Sequence, residues 1–218
     1  MLSSKQQQTI QTIDSKIFEL FAQEYTGHDY YHTKRVVNLT TRLMHYDDEE
    51  LFAALVIAYF HDVFDDKINP SDDMSSDLLK LFGEWNLDLE GKESLIIDGI
   101  KQIGYRGGYG IKNKTFPAQY VSDADLLDAM GAVGIARTFY YAGSKKHPFH
   151  DPKLEGIAPE NIEEYRNLER NPINHFNEKL LLLREWILTP EGIKIAETRH
   201  QLLVDFYNEF MEEMKDNL

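Results

Sequence analysis

Apolar residues recur along most of the chain with the period of an α-helix. In the first segment, Ile10, Ile13 and Ile17 lie three or four residues apart, which places them on one face of a helix. No stretch shows the two-residue alternation of a half-buried strand, and no internal repeat is present. We therefore predict an all-α fold, with helices at 4–25, 30–45, 49–60, 70–82, 90–103, 117–141 (one helix or two in succession), 173–188 and 190–214.

The segments between these helices contain no linker that would separate two domains. Residues 104–110 include four glycines, but neither dinucleotide-binding nor P-loop spacing is present, so we prefer a plain turn to a phosphate-binding loop. Residues 143–172 are polar and rich in proline, which indicates a long excursion with one short helix near 161–168. We expect a single compact multi-helix domain over 1–218, with C-terminal helices at 173–215.

The composition of the 218 residues narrows the classes of function. The absence of cysteine excludes disulfides, thiolate metal sites and a cysteine nucleophile. The net charge is −14, from 23 basic and 37 acidic residues, and no basic face stands out, so we expect no nucleic-acid duplex as a partner. No apolar run reaches the length of a membrane span and the first residues are polar, so we expect a cytoplasmic protein without a membrane partner.

The most informative stretch is the apolar run 49–60, which is followed directly by His61 and Asp62. This run is too short to span a membrane and is typical of a buried helix. Ionisable side chains at the end of a buried helix are costly unless they are paired or bind a metal ion. The pair therefore indicates a metal site, for which His32 and Asp125 are further candidate ligands. Imidazole nitrogens and carboxylate oxygens suit manganese, iron, cobalt, nickel or zinc.

Spacing alone leaves alternatives to this metal site. His32 could also be a solvated or internally hydrogen-bonded histidine. Asp123, Asp125 and Asp128 could cap a helix or lie on a solvated face, an interpretation that fits Asp123 best and fits Asp125 less well, because Asp125 lies deeper in an apolar run. If all four ligands bind an octahedral ion, two coordination positions remain for water or substrate.

Three blocks in chain order resemble the HD-domain superfamily of metal-dependent phosphohydrolases. They are Tyr31-His32-Thr33-Lys34-Arg35-Val36, Phe60-His61-Asp62 and Asp123-Ala124-Asp125-Leu126-Leu127-Asp128-Ala129, in the order H … HD … D. The resemblance implies an HD-type fold in which His32, His61, Asp62 and Asp125 bind one divalent transition metal ion per chain. Asp125 is preferred as the Asp of the family's Ala-Asp-x-Leu unit, although Leu126 stands where many relatives carry Arg. Manganese is the expected ion, with cobalt, nickel, iron, zinc and magnesium as alternatives.

The segment that begins with His61-Asp62 also resembles the HDxxED motif of alarmone hydrolases, whose acidic pair helps to activate the attacking water. Asp65 and Asp66 are the corresponding candidates for the general base, with Asp65 first, although it replaces a Glu and is one methylene shorter. A solvated acidic turn is an equal alternative. Lys67 is the first candidate for phosphate binding. Further candidates, each of which could also be an ordinary surface cation, are Arg35, Lys101 and Lys179, as well as Lys34 and Arg106.

Two C-terminal blocks, Asn174-His175-Phe176 and Lys179-Leu180-Leu181-Leu182-Leu183, resemble the bacterial nucleotide pyrophosphohydrolases of this superfamily. The resemblance implies a small anionic nucleotide as substrate and the hydrolysis of nucleoside triphosphates to monophosphate and pyrophosphate. A nucleoside monophosphate phosphatase, an alarmone hydrolase and a degenerate HD module that binds a nucleotide and signals remain alternatives. The apolar side of the last helix, with Phe206 and Phe210, could form a homodimer, but we prefer its packing on the protein's own core.

Overall fold

The computed structural model describes residues 1–24, 27, 29–44, 49–64, 69–105, 108, 110–111, 113–154, 156 and 171–215. Within these residues the chain forms α-helices, one 3₁₀ helix and no β-strand, which confirms the predicted all-α class. The α-helices are α1 (Ser4–Leu20), α2 (Tyr30–Leu43), α3 (Leu51–Phe60), α4 (Met74–Glu84), α5 (Glu93–Lys101), α6 (Phe116–Asp128), α7 (Gly131–Ser144), α8 (Asn174–Glu178) and α9 (Pro190–Lys215), and the 3₁₀ helix is Leu180–Trp186. None of these described helices combines the length and the apolar character needed to cross a membrane.

Two helices begin where an aspartate caps their exposed amide groups. Asp29 Oδ1 accepts the backbone amide of His32 at 2.8 Å and so starts α2. Asp73 accepts the backbone amide of Ser76 at 3.3 Å and starts α4. The start of α4 is therefore at Met74, later than the predicted start at 70, because the capping carboxylate stands at position 73.

A first compact unit comprises the described residues of Met1–Ile103 and Asn113–Ala124. Its centre is α3, against which α1, α2 and α5 pack. Every side chain from Phe52 to Phe60 is buried, as expected of a helix that is apolar on all sides. α5 approaches α3 so closely at Gly99 that a Cβ there would overlap the side chain of Ile57. His61 and Asp62, two of the four predicted metal ligands, directly follow this enclosed helix in the chain.

The second unit contains the described residues of Gly104–Lys112 and Asp125–Leu218, so the boundary between the two units lies inside α6. In the second unit, α7 and the 3₁₀ helix pack against α9, and α8 packs against the 3₁₀ helix. The predicted segment 117–141 forms two helices in succession, because the backbone turns at Gly131 with a φ of +67°.

The continuous helix predicted at 173–188 is wrong. Lys179 leaves the helical conformation, with φ −146° and ψ −60°, and separates α8 from the 3₁₀ helix. The amide of Leu182 then bonds the carbonyl of Lys179 at 2.9 Å, three residues back, as in a 3₁₀ helix. The short helix predicted near 161–168 lies outside the described residues, and the single domain over 1–218 stays a prediction.

Candidate metal centre

Three of the four predicted metal ligands meet in the first unit, where α2 packs against α3. His32 Nε2 is 3.3 Å from Asp62 Oδ2 and 3.2 Å from His61 Nε2. His61 Nε2 is 3.5 Å from the same carboxylate oxygen. All three side chains are buried, and His32 is completely enclosed. Two imidazoles and one carboxylate therefore converge inside the protein.

Local structure orients both histidines. His32 lies in the first turn of α2, which Asp29 caps. His61 Nδ1 lies 2.7 Å from the carbonyl oxygen of Ala58. Because a carbonyl only accepts hydrogen bonds, Nδ1 is the donor in this contact, and in the neutral ring Nε2 then carries the lone pair that faces His32 and Asp62. A histidine held in this way by a backbone carbonyl is prepared to bind a metal through Nε2.

The donor set fits a divalent metal ion. The ligand atoms of His32, His61 and Asp62 lie within 4.8 Å of one another, a spacing that one ion can span. A buried carboxylate in contact with two imidazole nitrogens is unfavourable unless a proton or a cation compensates it. The mixture of nitrogen and oxygen donors suits manganese, iron, cobalt, nickel or zinc. Among the residues that the structure describes, no second cluster of three such groups occurs.

The aspartates of α6 differ in their surroundings. Asp128 is almost fully buried and accepts a hydrogen bond from Arg137 Nη1 at 2.8 Å within the second unit. Asp123 is completely buried in the middle of α6, so the capping or solvated-face interpretation is wrong for Asp123 and for Asp128. Asp125 is half-buried and belongs to the second unit. Its assignment as the fourth ligand stays a prediction.

The predicted residues that follow the His61-Asp62 pair are not among those that the structure describes. Asp65 and Asp66, the candidates for the general base, and Lys67, the first candidate for phosphate binding, all fall between the described residues 64 and 69. The roles of these three residues stay predictions.

The other predicted phosphate-binding residues have different surroundings. Arg35 is half-buried on α2, and Lys101, exposed at the end of α5, donates a hydrogen bond to the hydroxyl of Ser75. Lys179, in the second unit, places Nζ 5.8 Å from the ring centroid of Tyr105, within the range of a cation–π contact. The part of these cations in substrate binding stays a prediction.

Sequence reasoning missed a polar network in the first unit. This network, the Asp14 network, consists of Asp14, Tyr30, Lys34 and Tyr59. Lys34 Nζ donates to Asp14 Oδ1 at 2.8 Å and to the hydroxyl oxygen of Tyr59 at 3.1 Å. Tyr59 donates to Asp14 Oδ1 at 2.9 Å, and Tyr30 donates to the same oxygen at 3.1 Å. The ammonium of Lys34, a candidate for phosphate binding, is therefore engaged within the protein.

The Asp14 network shifts the ionisation of its members. Burial raises the pKa of Asp14, but hydrogen bonds from Lys34 and Tyr59 outweigh this effect, so the pKa falls below its ordinary value of 3.8. Burial, together with the hydrogen bond to Asp14, raises the pKa of the Tyr59 hydroxyl. At neutral pH, Asp14 is therefore a carboxylate and Tyr59 a neutral donor. The only feature of the sequence that pointed to this network was that Lys34 and Tyr59 each stand two positions from a predicted metal ligand.

Comparison with known proteins gives one relative with a solved ligand complex. No protein-family model matches the sequence. The chain is 28% identical over 218 residues to the uncharacterized protein YpgQ of Bacillus subtilis, and the match covers 96% of each chain. The crystal structure of YpgQ in complex with ADP matches with a TM-score of 0.71 at 25% identity and covers 94% of this chain and 97% of that chain.

Two further solved structures have a similar fold. A protein of Lactobacillus plantarum matches with a TM-score of 0.83 at 27% identity, over 99% of this chain and 100% of that chain. An HD-superfamily hydrolase of Bacillus thuringiensis matches with a TM-score of 0.71 at 29% identity, over 96% of this chain and 98% of that chain. The all-α fold is therefore similar to that of HD-superfamily hydrolases.

Proposed function

We propose that the chain is a metal-dependent phosphohydrolase of the HD superfamily that acts on nucleotides. The observation that carries the proposal is the convergence of His32, His61 and Asp62 in a buried cluster at the end of α3. The similar hydrolase of Bacillus thuringiensis supports the chemical class, and the ADP complex of YpgQ supports a nucleotide as the ligand. As substrate we propose a nucleoside triphosphate, which is hydrolysed to monophosphate and pyrophosphate.

In this proposal His32, His61, Asp62 and Asp125 hold one divalent ion, with manganese as the first candidate. Such an ion, once bound, lowers the pKa of a water molecule and polarises a phosphoryl group. The hydrogen bond from His61 Nδ1 to the carbonyl of Ala58 makes Nε2 the ring nitrogen that is available to the ion and directs it toward the other ligands. Burial of the cluster would strengthen the attraction between the bound cation and an anionic substrate, because charges interact more strongly where water is excluded.

Residues beyond the cluster move the proton and hold the phosphates. Asp65, or Asp66 in its place, accepts a proton from the attacking water. The water oxygen forms a bond to the α-phosphorus, the bond between that phosphorus and the bridging oxygen breaks, and pyrophosphate leaves. Lys67 binds the leaving phosphates through charge-assisted hydrogen bonds. Further candidates for this role are Arg35, Lys101 and Lys179.

The test is the turnover of nucleoside triphosphates, nucleoside monophosphates and an alarmone with Mn²⁺, Mg²⁺ or Co²⁺. Chromatography separates the products, so that pyrophosphate and orthophosphate are distinguished. Asp62→Ala removes a proposed ligand, and His147→Ala is the control, because it removes a histidine outside the cluster. We expect pyrophosphate from triphosphates with the wild type and with His147→Ala, and none with Asp62→Ala.

Other outcomes would assign a different function. Orthophosphate released from monophosphates alone would indicate a phosphatase, and pyrophosphate released from the alarmone alone would indicate an alarmone hydrolase. Saturable nucleotide binding without turnover at any metal would replace the enzyme by a nucleotide-binding module. Turnover that is unchanged in Asp62→Ala would contradict the proposed metal centre.

A further inference from the structure

The Asp14 network connects three helices of the first unit. Asp14 lies on α1, Tyr30 and Lys34 lie on α2, and Tyr59 lies on α3. A single atom, Asp14 Oδ1, accepts hydrogen bonds from Lys34 at 2.8 Å and from Tyr59 at 2.9 Å. The carboxylate of Asp14 on α1 thus connects α2 and α3 through hydrogen bonds to one oxygen atom.

The two residues bound by this oxygen stand next to proposed metal ligands in the chain. Lys34 follows His32 by two positions on α2, and Tyr59 precedes His61 by two positions at the end of α3. Two positions correspond to about 200° around a helix and about 3 Å along its axis. On α2 and α3 the Asp14 network therefore lies on helix faces turned away from the ligands, and the helix backbones connect it to them.

The surroundings of the network distinguish it from an exposed ion pair. The side chains of Lys34 and Asp14 are each 32% exposed. The Lys34 ammonium lies 5.5 Å from the ring centroid of Tyr59 and 5.9 Å from that of Tyr30. Because Asp14 accepts from three side chains, removing its charge weakens three hydrogen bonds at once. A partly enclosed network of this kind restrains helix positions more firmly than a solvated pair does.

We propose that Asp14 is a positioning residue for the metal centre: it sets the separation of α2 and α3, and thereby the separation of His32 Nε2 and His61 Nε2. This inference rests on the proposed function, because it requires that the two histidines bind a metal ion. It assigns a role to a residue outside the H … HD … D motif. Residues that orient ligands without touching the metal change metal affinity while every ligand remains present.

The test measures Mn²⁺ affinity by isothermal titration calorimetry without nucleotide. Asp14→Asn removes the charge and retains the shape, and we expect it to bind Mn²⁺ about tenfold more weakly than the wild type, the lower end of the range for residues that orient metal ligands. Ile17→Val is the control, because Ile17 is fully buried on the same helix and belongs neither to the network nor to the cluster. Even if Ile17→Val lowers the melting temperature as much as Asp14→Asn does, we expect it to bind Mn²⁺ with the wild-type affinity.

A milder change tests the same connection if Asp14→Asn folds poorly. Tyr59→Phe keeps the ring and removes only the hydroxyl that donates to Asp14, and we expect it to weaken Mn²⁺ binding in the same direction. Asp14→Asn should weaken Mn²⁺ binding by a smaller factor in the Tyr59→Phe background than in the wild type, because both substitutions break the same hydrogen bond. Full additivity would show that Asp14 and Tyr59 act independently, and would overturn the proposed connection.

The outcomes separate this inference from the proposed function. Wild-type Mn²⁺ binding that is lost in His61→Ala but unchanged in Asp14→Asn and Tyr59→Phe would overturn the positioning role and leave the metal centre standing. An equal loss of affinity in Asp14→Asn and Ile17→Val, at equal loss of stability, would also overturn it, because general destabilisation would then explain the effect. Absence of Mn²⁺ binding in the wild type would overturn both.

Discussion

The Nε2 atoms of His32 and His61 lie 3.2 Å apart, which is the spacing of two neighbouring ligands of one metal ion. With metal–nitrogen distances of about 2.0–2.1 Å, adjacent ligands of a tetrahedral or octahedral ion are separated by about 3 Å or slightly more. The two rings therefore need little rearrangement to accept a cation. The carboxylate oxygen of Asp62, at 3.3 Å and 3.5 Å from the two nitrogens, has a similar spacing.

Mn²⁺ should stabilise the wild-type protein but not His61→Ala. A ligand at about 100 times its Kd adds about 2.7 kcal/mol to the free energy of unfolding. In differential scanning fluorimetry of chelator-treated protein, the melting temperature should rise when Mn²⁺ is added and fall again with EDTA. His147→Ala, the matched control, should respond like the wild type. An equal rise in His61→Ala would place the bound metal elsewhere.

Substitutions of two aspartates on α6 should have different effects. Asp128→Asn should lower the free energy of unfolding by about 2 kcal/mol, because it weakens a charge-assisted hydrogen bond to Arg137 at a nearly buried carboxylate. Asp125→Asn should mainly weaken Mn²⁺ binding, as expected of a ligand. Urea denaturation and titration calorimetry on both variants measure the two effects. The opposite pattern would transfer the role of fourth ligand from Asp125 to Asp128.

The contribution of Asp14 to stability should disappear in acid. Although burial raises its pKa, hydrogen bonds from Lys34 and Tyr59 lower it below 3.8, so the unfolded chain takes up the proton at a higher pH than the folded protein does. The contribution is complete above the unfolded-state pKa and is lost as the pH falls through the folded-state pKa. The difference in unfolding free energy between wild type and Asp14→Asn should therefore narrow from about pH 6 to about pH 2. A difference that stays constant in urea titrations would contradict this assignment.

Alanine should be tolerated at Gly143 but not at Gly131. Gly131 has a φ of +67°, and a Cβ there would lie 3.0 Å from Arg199 Cγ. The left-handed conformation alone costs a residue with a Cβ about 1–2 kcal/mol. Gly143, also in α7, has no atom within 4 Å of the point that a Cβ would occupy, apart from its chain neighbours and the adjacent backbone of its own helix, so alanine there should gain up to about 1 kcal/mol of helix propensity. Equal denaturation midpoints for the two variants would contradict the turn at Gly131.

The sequence was sufficient to predict α3 and the residues at its end. A helix that is buried on all sides requires an uninterrupted apolar run, and such a run is visible without knowledge of its neighbours. The metal site at His61 and Asp62 was also predictable, because ionisable residues beside an apolar run need compensation. His32 was assigned to that site by the resemblance to the HD-domain superfamily, because its spacing alone left an ordinary histidine open as an alternative.

Features that depend on partners distant in the chain could not be predicted. Asp14 lies among polar residues of α1, and only the packing of α1 against α3 brings it to Tyr59. Asp123 resembles a surface aspartate in sequence, yet it is completely buried. The break at Lys179 was also hidden, because the leucines that follow it favour a regular helix equally well.

Because other helices surround α3, its amide hydrogens can reach the solvent only when those helices separate from it. In hydrogen–deuterium exchange, the amides of residues 52–60 should therefore be among the last of the first unit to exchange, at rates close to those of global unfolding. His61 and Asp62 follow this slowly exchanging segment directly. Fraying of helix ends elsewhere would leave these two side chains in place, so local opening in other parts of the first unit should not separate His61 from Asp62.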